Sequence, residues 1–190
     1  MGFYAAYPED GYSYVVYSTV FCVVTQVLIR QAALLAMGRD HPKRGVAPRL
    51  ATKAVSVVLN TVLVVGSIDR LLNPLPAVQA DPIYGFSHHS QWLFSVAGGY
   101  FLWATAASLF YKGSVVAVAQ NAIQCGISLL ALHPFLHRVG NIFLLTQASN
   151  LVLDLYACSA LVGRKSYAFL FPRVVHPWVF FVVRIGIALR

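Results

Sequence analysis

The chain has 190 residues, 58% of them hydrophobic and only 11% charged, with a formal net charge of +8. Soluble globular domains carry about 25% charged residues, so this composition excludes a water-soluble domain and leaves a protein that works inside or along a lipid bilayer. A basic soluble chain would point to nucleic acid, but here the basic residues sit in short loops between apolar stretches, and that placement argues against a nucleic-acid partner.

Residues 1–13 form a short N-terminal segment, and residues 14–190 are expected to form a single transmembrane helical domain. The opening MGFYAAYPEDGYSY lacks both the basic start of a secretory signal and the Arg-rich amphipathic character of a transit peptide. Targeting is therefore expected to use the membrane segments themselves. Gly2 does not open a myristoylation motif, because position six is Ala6.

Six apolar stretches of about twenty residues, the length that crosses a bilayer core, are predicted at residues 14–35, 50–72, 92–111, 115–136, 141–161 and 167–189. Each is bounded by charges, prolines or glycines. The expected fold is all-α, a polytopic integral membrane bundle. The loop after the first stretch carries Arg39, Lys43, Arg44 and Arg49, with Lys53 just inside the second; Lys112 follows the third, and Arg164, Lys165 and Arg173 follow the fifth. Six crossings would place these groups on one side, and Arg70, Arg138 and Arg190 together with the acids Glu9, Asp10, Asp69 and Asp81 on the other. That asymmetry orients the chain with both termini on the non-cytoplasmic or non-matrix face. Arg39, Lys43, Arg44, Arg49, Arg164 and Lys165 are accordingly the expected headgroup contacts, while Arg30 and Arg184 can snorkel from near the ends of their stretches.

Within the stretches, Cys22, Cys125 and Cys158 show no metal-ligand spacing and read as small apolar side chains. His88 and His89 lie before the third stretch. His133 and His137 are four apart but flank Pro134 with no third ligand close in sequence, so no metal is expected. His176, between Pro172 and Pro177, suits a kinked helix entry. Asn60, Asn121, Gln124, Gln147, Asn150 and Asp154 place polar groups inside four stretches, together with Gln26. They either bond between helices or converge on a lipid-lining polar cavity. Asp154 is the acid set most deeply within a stretch, where an unpaired carboxylate is costly. An antiparallel hairpin around Arg164 would bring it level with Arg173, and an intramembrane ion pair Asp154–Arg173 is predicted.

The stretch DPIYGFSHHSQWLFSVAGGYFLWATAASLFY, residues 81–111, reads as a turn, an aromatic interfacial belt and a helix with Gly98 and Gly99 available for close packing. DPIYGFS followed by GYFLW resembles the TLC-domain family, which includes ceramide synthases and translocon-associated membrane proteins. RGVAPRLATKAVSVVLN (residues 44–60), LLTQASNLVLDL (144–155) and FFVVRIGIALR (180–190) are similar to further segments of that family, so the resemblance runs from about residue 44 to the end. It implies a TLC-like helical bundle, a lipid-handling ancestry and the endoplasmic reticulum.

The chain departs from that pattern at the positions that matter for chemistry. The ceramide synthases resemble one another in a histidine pair and nearby aspartates suited to act as bases. This chain has Ala104 where an aspartate is usual, Gln120, Asn121 and Ala122 where the histidines would stand, and Gln147 at the acidic position. The expectation is a catalytically silent relative with no catalytic residue and no cofactor other than a structural phospholipid. Its partners would be membrane lipids and other integral membrane subunits, in a respiratory-chain or ATP-synthase type of complex. The alternative is a lipid-handling protein: a divergent acyltransferase, a sensor or a carrier. A small basic polytopic subunit suits the mitochondrial inner membrane as well as the resemblance suits the endoplasmic reticulum.

Overall fold

A computed structural model describes residues 8–37, 44–111, 113–133, 137–162 and 167–182, with side chains described except those of residues 8–10, 44, 162 and 167–173. The described residues are helical, with no strand among them. The elements are α1 (Pro8–Met37), a 3₁₀ turn (Arg44–Val46), α2 (Ala47–Leu72), α3 (Pro76–Ala80), α4 (His88–Phe110), α5 (Val115–Leu130), α6 (His137–Leu145), α7 (Gln147–Val162) and α8 (Tyr167–Phe180). Four helical runs are long and apolar enough to cross a membrane: Gly11–Met37, Ala47–Leu72, His88–Phe110 and His137–Leu161.

The fourth stretch, expected over residues 115–136, is helical only over Val115–Leu130, sixteen residues. It ends where Ala131 and Leu132 turn back on Ile127 and Leu129, just ahead of His133, which precedes a proline and is thereby disfavoured from helical geometry. The fifth run starts earlier than expected, at His137, and is interrupted at Thr146, whose carbonyl accepts from both the backbone N–H and the hydroxyl of Ser149. Residues 183–189 of the sixth stretch lie outside the described residues.

Contacts divide the chain into two compact units, each discontinuous in sequence: residues 1–21 with 66–144, and residues 22–65 with 145–190.

In the first unit α4 is the centre. Thirteen of its residues are buried, among them Phe94, Phe101 and Trp103, as expected for a helix that is apolar all round. Ser87 starts it by accepting a hydrogen bond from the Ser90 N–H. Upstream, Asp81 builds the approach: its Oδ1 accepts from the N–H groups of Ile83 and Tyr84, and its carbonyl accepts from Gly85. A Cβ at Gly85 would lie 2.3 Å from that carbonyl oxygen, so only glycine closes this turn.

The start of α1 runs along α4. Ser18 donates to the Val96 carbonyl at 3.0 Å and Thr19 to the Gly99 carbonyl at 3.2 Å, while Gly11 lies against Gln91. Residue numbers rise together on both helices, so the two are parallel. The backbones meet at Gly99, where a Cβ would sit 2.5 Å from the Val15 carbonyl oxygen, the close approach that small residues permit between membrane helices.

α5 runs the opposite way along α4. Asn121 pairs with Ser108, Cys125 with the Gly98 carbonyl, and Gln91 reaches the Leu132 carbonyl. α6 returns parallel to α4, since His137 meets Ser87 and Asn141 meets Ser90.

In the second unit, Gln26 on α1 donates to the Thr52 hydroxyl of α2 at 2.9 Å, and α7 packs against α8. The remaining link, between α2 and α7, is the one that carries charge.

Candidate functional site

Lys53 and Asn60 are seven residues apart on α2. Two helical turns separate them, so they lie on one face about 10 Å apart along the axis. Gln147, Asn150 and Asp154 follow the same logic on α7, with spacings of three, four and seven. Each helix therefore presents a polar stripe, and in the second unit these stripes meet.

Lys53 Nζ donates to Asp154 Oδ1 at 2.6 Å, and Asn60 Nδ2 donates to Asp154 Oδ2 at 3.2 Å. Asp154 and Asn60 are buried, while the side chain of Lys53 keeps 41% of its surface exposed. The carboxylate thus holds one cationic and one neutral donor, both from the same face of α2. A lone charge in a membrane interior costs several kcal/mol on most scales, roughly 2.5–3.5 by insertion. Pairing removes the net charge, and the lysine stem lets its head stay partly hydrated.

One turn above, Asn150 donates to Gln147 Oε1 at 2.6 Å. Two buried polar atoms here have no hydrogen-bond partner among the described residues: Asn60 Oδ1 and Gln147 Nε2. One is an acceptor and the other a donor, so a small hydroxyl-bearing group or water could satisfy either.

The six residues expected to line one polar cavity divide between the units. Asn60, Gln147, Asn150 and Asp154 belong to the cluster just described. Asn121 and Gln124 lie on α5 in the first unit. There Asn121 bonds Ser108 of α4, and Gln124 is buried with its Oε1 unmatched.

The partner that Asp154 takes is Lys53. Arg173, the partner expected from sequence, stands on α8 with its side chain outside the described residues. Of the expected headgroup contacts, Arg49 is exposed on the first turn of α2. Arg39, Lys43, Arg164, Lys165 and the side chain of Arg44 lie outside the described residues.

A second polar knot, in the first unit, was not expected. His137 is fully buried, edge-on to Phe94 and close to Phe86. Its Nδ1 accepts from the Ser87 N–H at 3.2 Å, and its Nε2 lies 3.1 Å from the His133 carbonyl, to which it must donate. These two bonds select the neutral imidazole with the proton on Nε2. Asn141 adds a bond to the Ser90 hydroxyl at 3.0 Å. The four-residue spacing of His133 and His137 therefore serves a backbone contact and not a pair of ring ligands. Among the described residues no group of three or more His, Cys, Asp or Glu is arranged to hold a metal, and Cys22, Cys125 and Cys158 are free thiols.

Lys53 was missed as a site residue because it counts with the basic loop before α2. The seven-residue spacing to Asn60 was the signal that could have found it. No family model matches the chain, and neither a curated protein nor a solved structure shows significant similarity to it.

Proposed function

We propose that this chain is a catalytically silent, TLC-like integral membrane protein that works by contact, as a structural or accessory subunit of a larger membrane assembly with bound phospholipid. The observation that carries this reading is the state of α1. Its most apolar eighteen residues are only 6% buried, against 61% for α4. Side chains such as Tyr17, Phe21, Val24 and Leu28 are left facing outward. A membrane-length helix with so little of its own chain to pack on is a surface for lipid or for neighbouring subunits. The charge pair fits this use, because a neutralised carboxylate with two donors is a fastening and not an available base.

The TLC resemblance rests on the four sequence segments and on a bundle of apolar helices. A complex of the mitochondrial inner membrane or of the endoplasmic reticulum would both suit a subunit of this kind. Unmatched Asn60 Oδ1 and Gln147 Nε2 favour a second reading, a lipid-handling protein whose ligand satisfies them.

Native-gel separation of gently solubilised membranes, with mass spectrometry of the band that holds this chain, tests the proposal. Co-migration with a large complex at fixed stoichiometry supports the subunit reading, and the companions identify the membrane. Migration alone, with a defined lipid or acyl donor bound, overturns it in favour of the second.

A further inference from the structure

A cavity of about 250 Å³ opens in the first unit where α2 ends and α4 and α6 begin. Three membrane-length runs terminate at this level, so it lies at one boundary of the apolar layer. Its lining is divided by chemistry. Leu71, Leu75, Val78 and Ile142 supply an aliphatic wall, and Arg70, Arg138, Ser90 and Asn141 supply polar groups.

The electrostatics point one way. Among the described residues no carboxylate lines the cavity. Asp69 is adjacent to it in sequence and is bonded to Arg70. Arg138 is the second residue of α6, and neither α6 nor α4 has an acid in its first turn. A cation at a helix N-terminus faces the positive end of the backbone dipole, where an anion is the favoured neighbour. Arg138 makes no ion pair among the described residues, although its side chain is exposed. Asn141 is 3% exposed and gives its Nδ2 to Ser90, while its Oδ1 has no partner. That leaves a buried acceptor in a lining that also holds Arg138, without an ion pair among the described residues, and Arg70, paired with Asp69.

We infer that this cavity binds the phosphate of an anionic amphiphile, held by Arg70 and Arg138, with Asn141 accepting from a neighbouring hydroxyl or amine and the aliphatic wall taking the start of the chain. Guanidinium groups match phosphate oxygens in geometry as well as charge. The inference does not depend on whether the chain is a subunit or a lipid handler.

The test uses the full chain purified in a neutral detergent. Thermal stabilisation is titrated with phosphatidylglycerol, with phosphatidylcholine and with inorganic phosphate, for the native chain, Arg138→Gln, and Lys112→Gln, a basic residue that follows the opposite end of α4 in sequence. Phosphatidylglycerol should stabilise the native chain and Lys112→Gln alike, and should bind Arg138→Gln about tenfold more weakly. Stabilisation by phosphatidylglycerol far below the concentration needed for inorganic phosphate identifies a lipid headgroup. Equal potency of the two identifies a soluble phosphate compound as the source of the same chemistry. Failure of every anion to stabilise, or an equal loss in Arg138→Gln and Lys112→Gln, overturns the inference. Native folding of Arg138→Gln is checked by an unchanged melting temperature without ligand.

Discussion

The two buried polar clusters solve one problem in different ways. In the first unit, Ser87, Ser90, His137 and Asn141 are neutral and meet through hydrogen bonds of fixed direction; in the second, Lys53, Asn60 and Asp154 meet around a charge. The neutral knot specifies how the beginnings of α4 and α6 align, because each ring nitrogen has one permitted partner. The charged one tolerates more geometry but penalises separation heavily, since either ion alone in the apolar layer is unfavourable. Direction is read in one unit and proximity in the other.

The largest effect expected lies in the same unit as the neutral knot, at the α1–α4 contact. Gly99→Leu forces a side chain into a space where a Cβ already meets the Val15 carbonyl, at a cost of about 3 kcal/mol. The purified protein should melt well below the native chain in the same detergent; unchanged melting would mean that α1 does not rest there.

Next comes the charge pair. Asp154→Asn and Lys53→Met should each cost about 2 kcal/mol, less than the roughly 3–5 of a fully buried pair because Lys53 is partly exposed. The double variant should be no worse than the poorer single one, since the stranded charge is gone. Strict additivity in that cycle would separate the two residues.

His137→Phe keeps the ring volume and removes both ring nitrogens, stranding the Ser87 N–H. A loss of about 1–2 kcal/mol is expected, accompanied by faster hydrogen exchange at Ser87. Without that change in exchange, the ring would be packing and not aligning. The smallest effect belongs to Thr19→Val, which deletes one interhelical hydroxyl bond worth about 0.6 kcal/mol. A loss as large as that of His137→Phe would show that α1 depends on hydroxyl bonding more than on the close approach at Gly99.

Much of the helical layout is legible in the sequence, because an apolar run of membrane length has few other uses. Gly98-Gly99 announces a close helix approach, and Asp154 announces a need for a partner. What the sequence hides is which distant group answers. Lys53 is 101 residues away from Asp154, and only its seven-residue spacing from Asn60 sets it apart from Arg173 and the other basic residues near span ends. His137 is similar. Its spacing from His133 suggests a shared helix face, but the Ser87 N–H that selects its tautomer lies 50 residues upstream. The shortness of α5 was partly written at Pro134, which limits how far a helix can run past Leu130.

The parallel seating of α1 on α4 sets a timetable for biogenesis. The carbonyls that Ser18 and Thr19 bond lie 78 and 80 residues further along the chain, which at about 5–20 residues per second takes the ribosome roughly 4–16 s to reach. For that interval α1 resides in the membrane without its seat. Thr19 is provided for, because its hydroxyl also reaches the Val15 carbonyl within α1 at 2.9 Å. α1 is thus made well before the helix on which it docks.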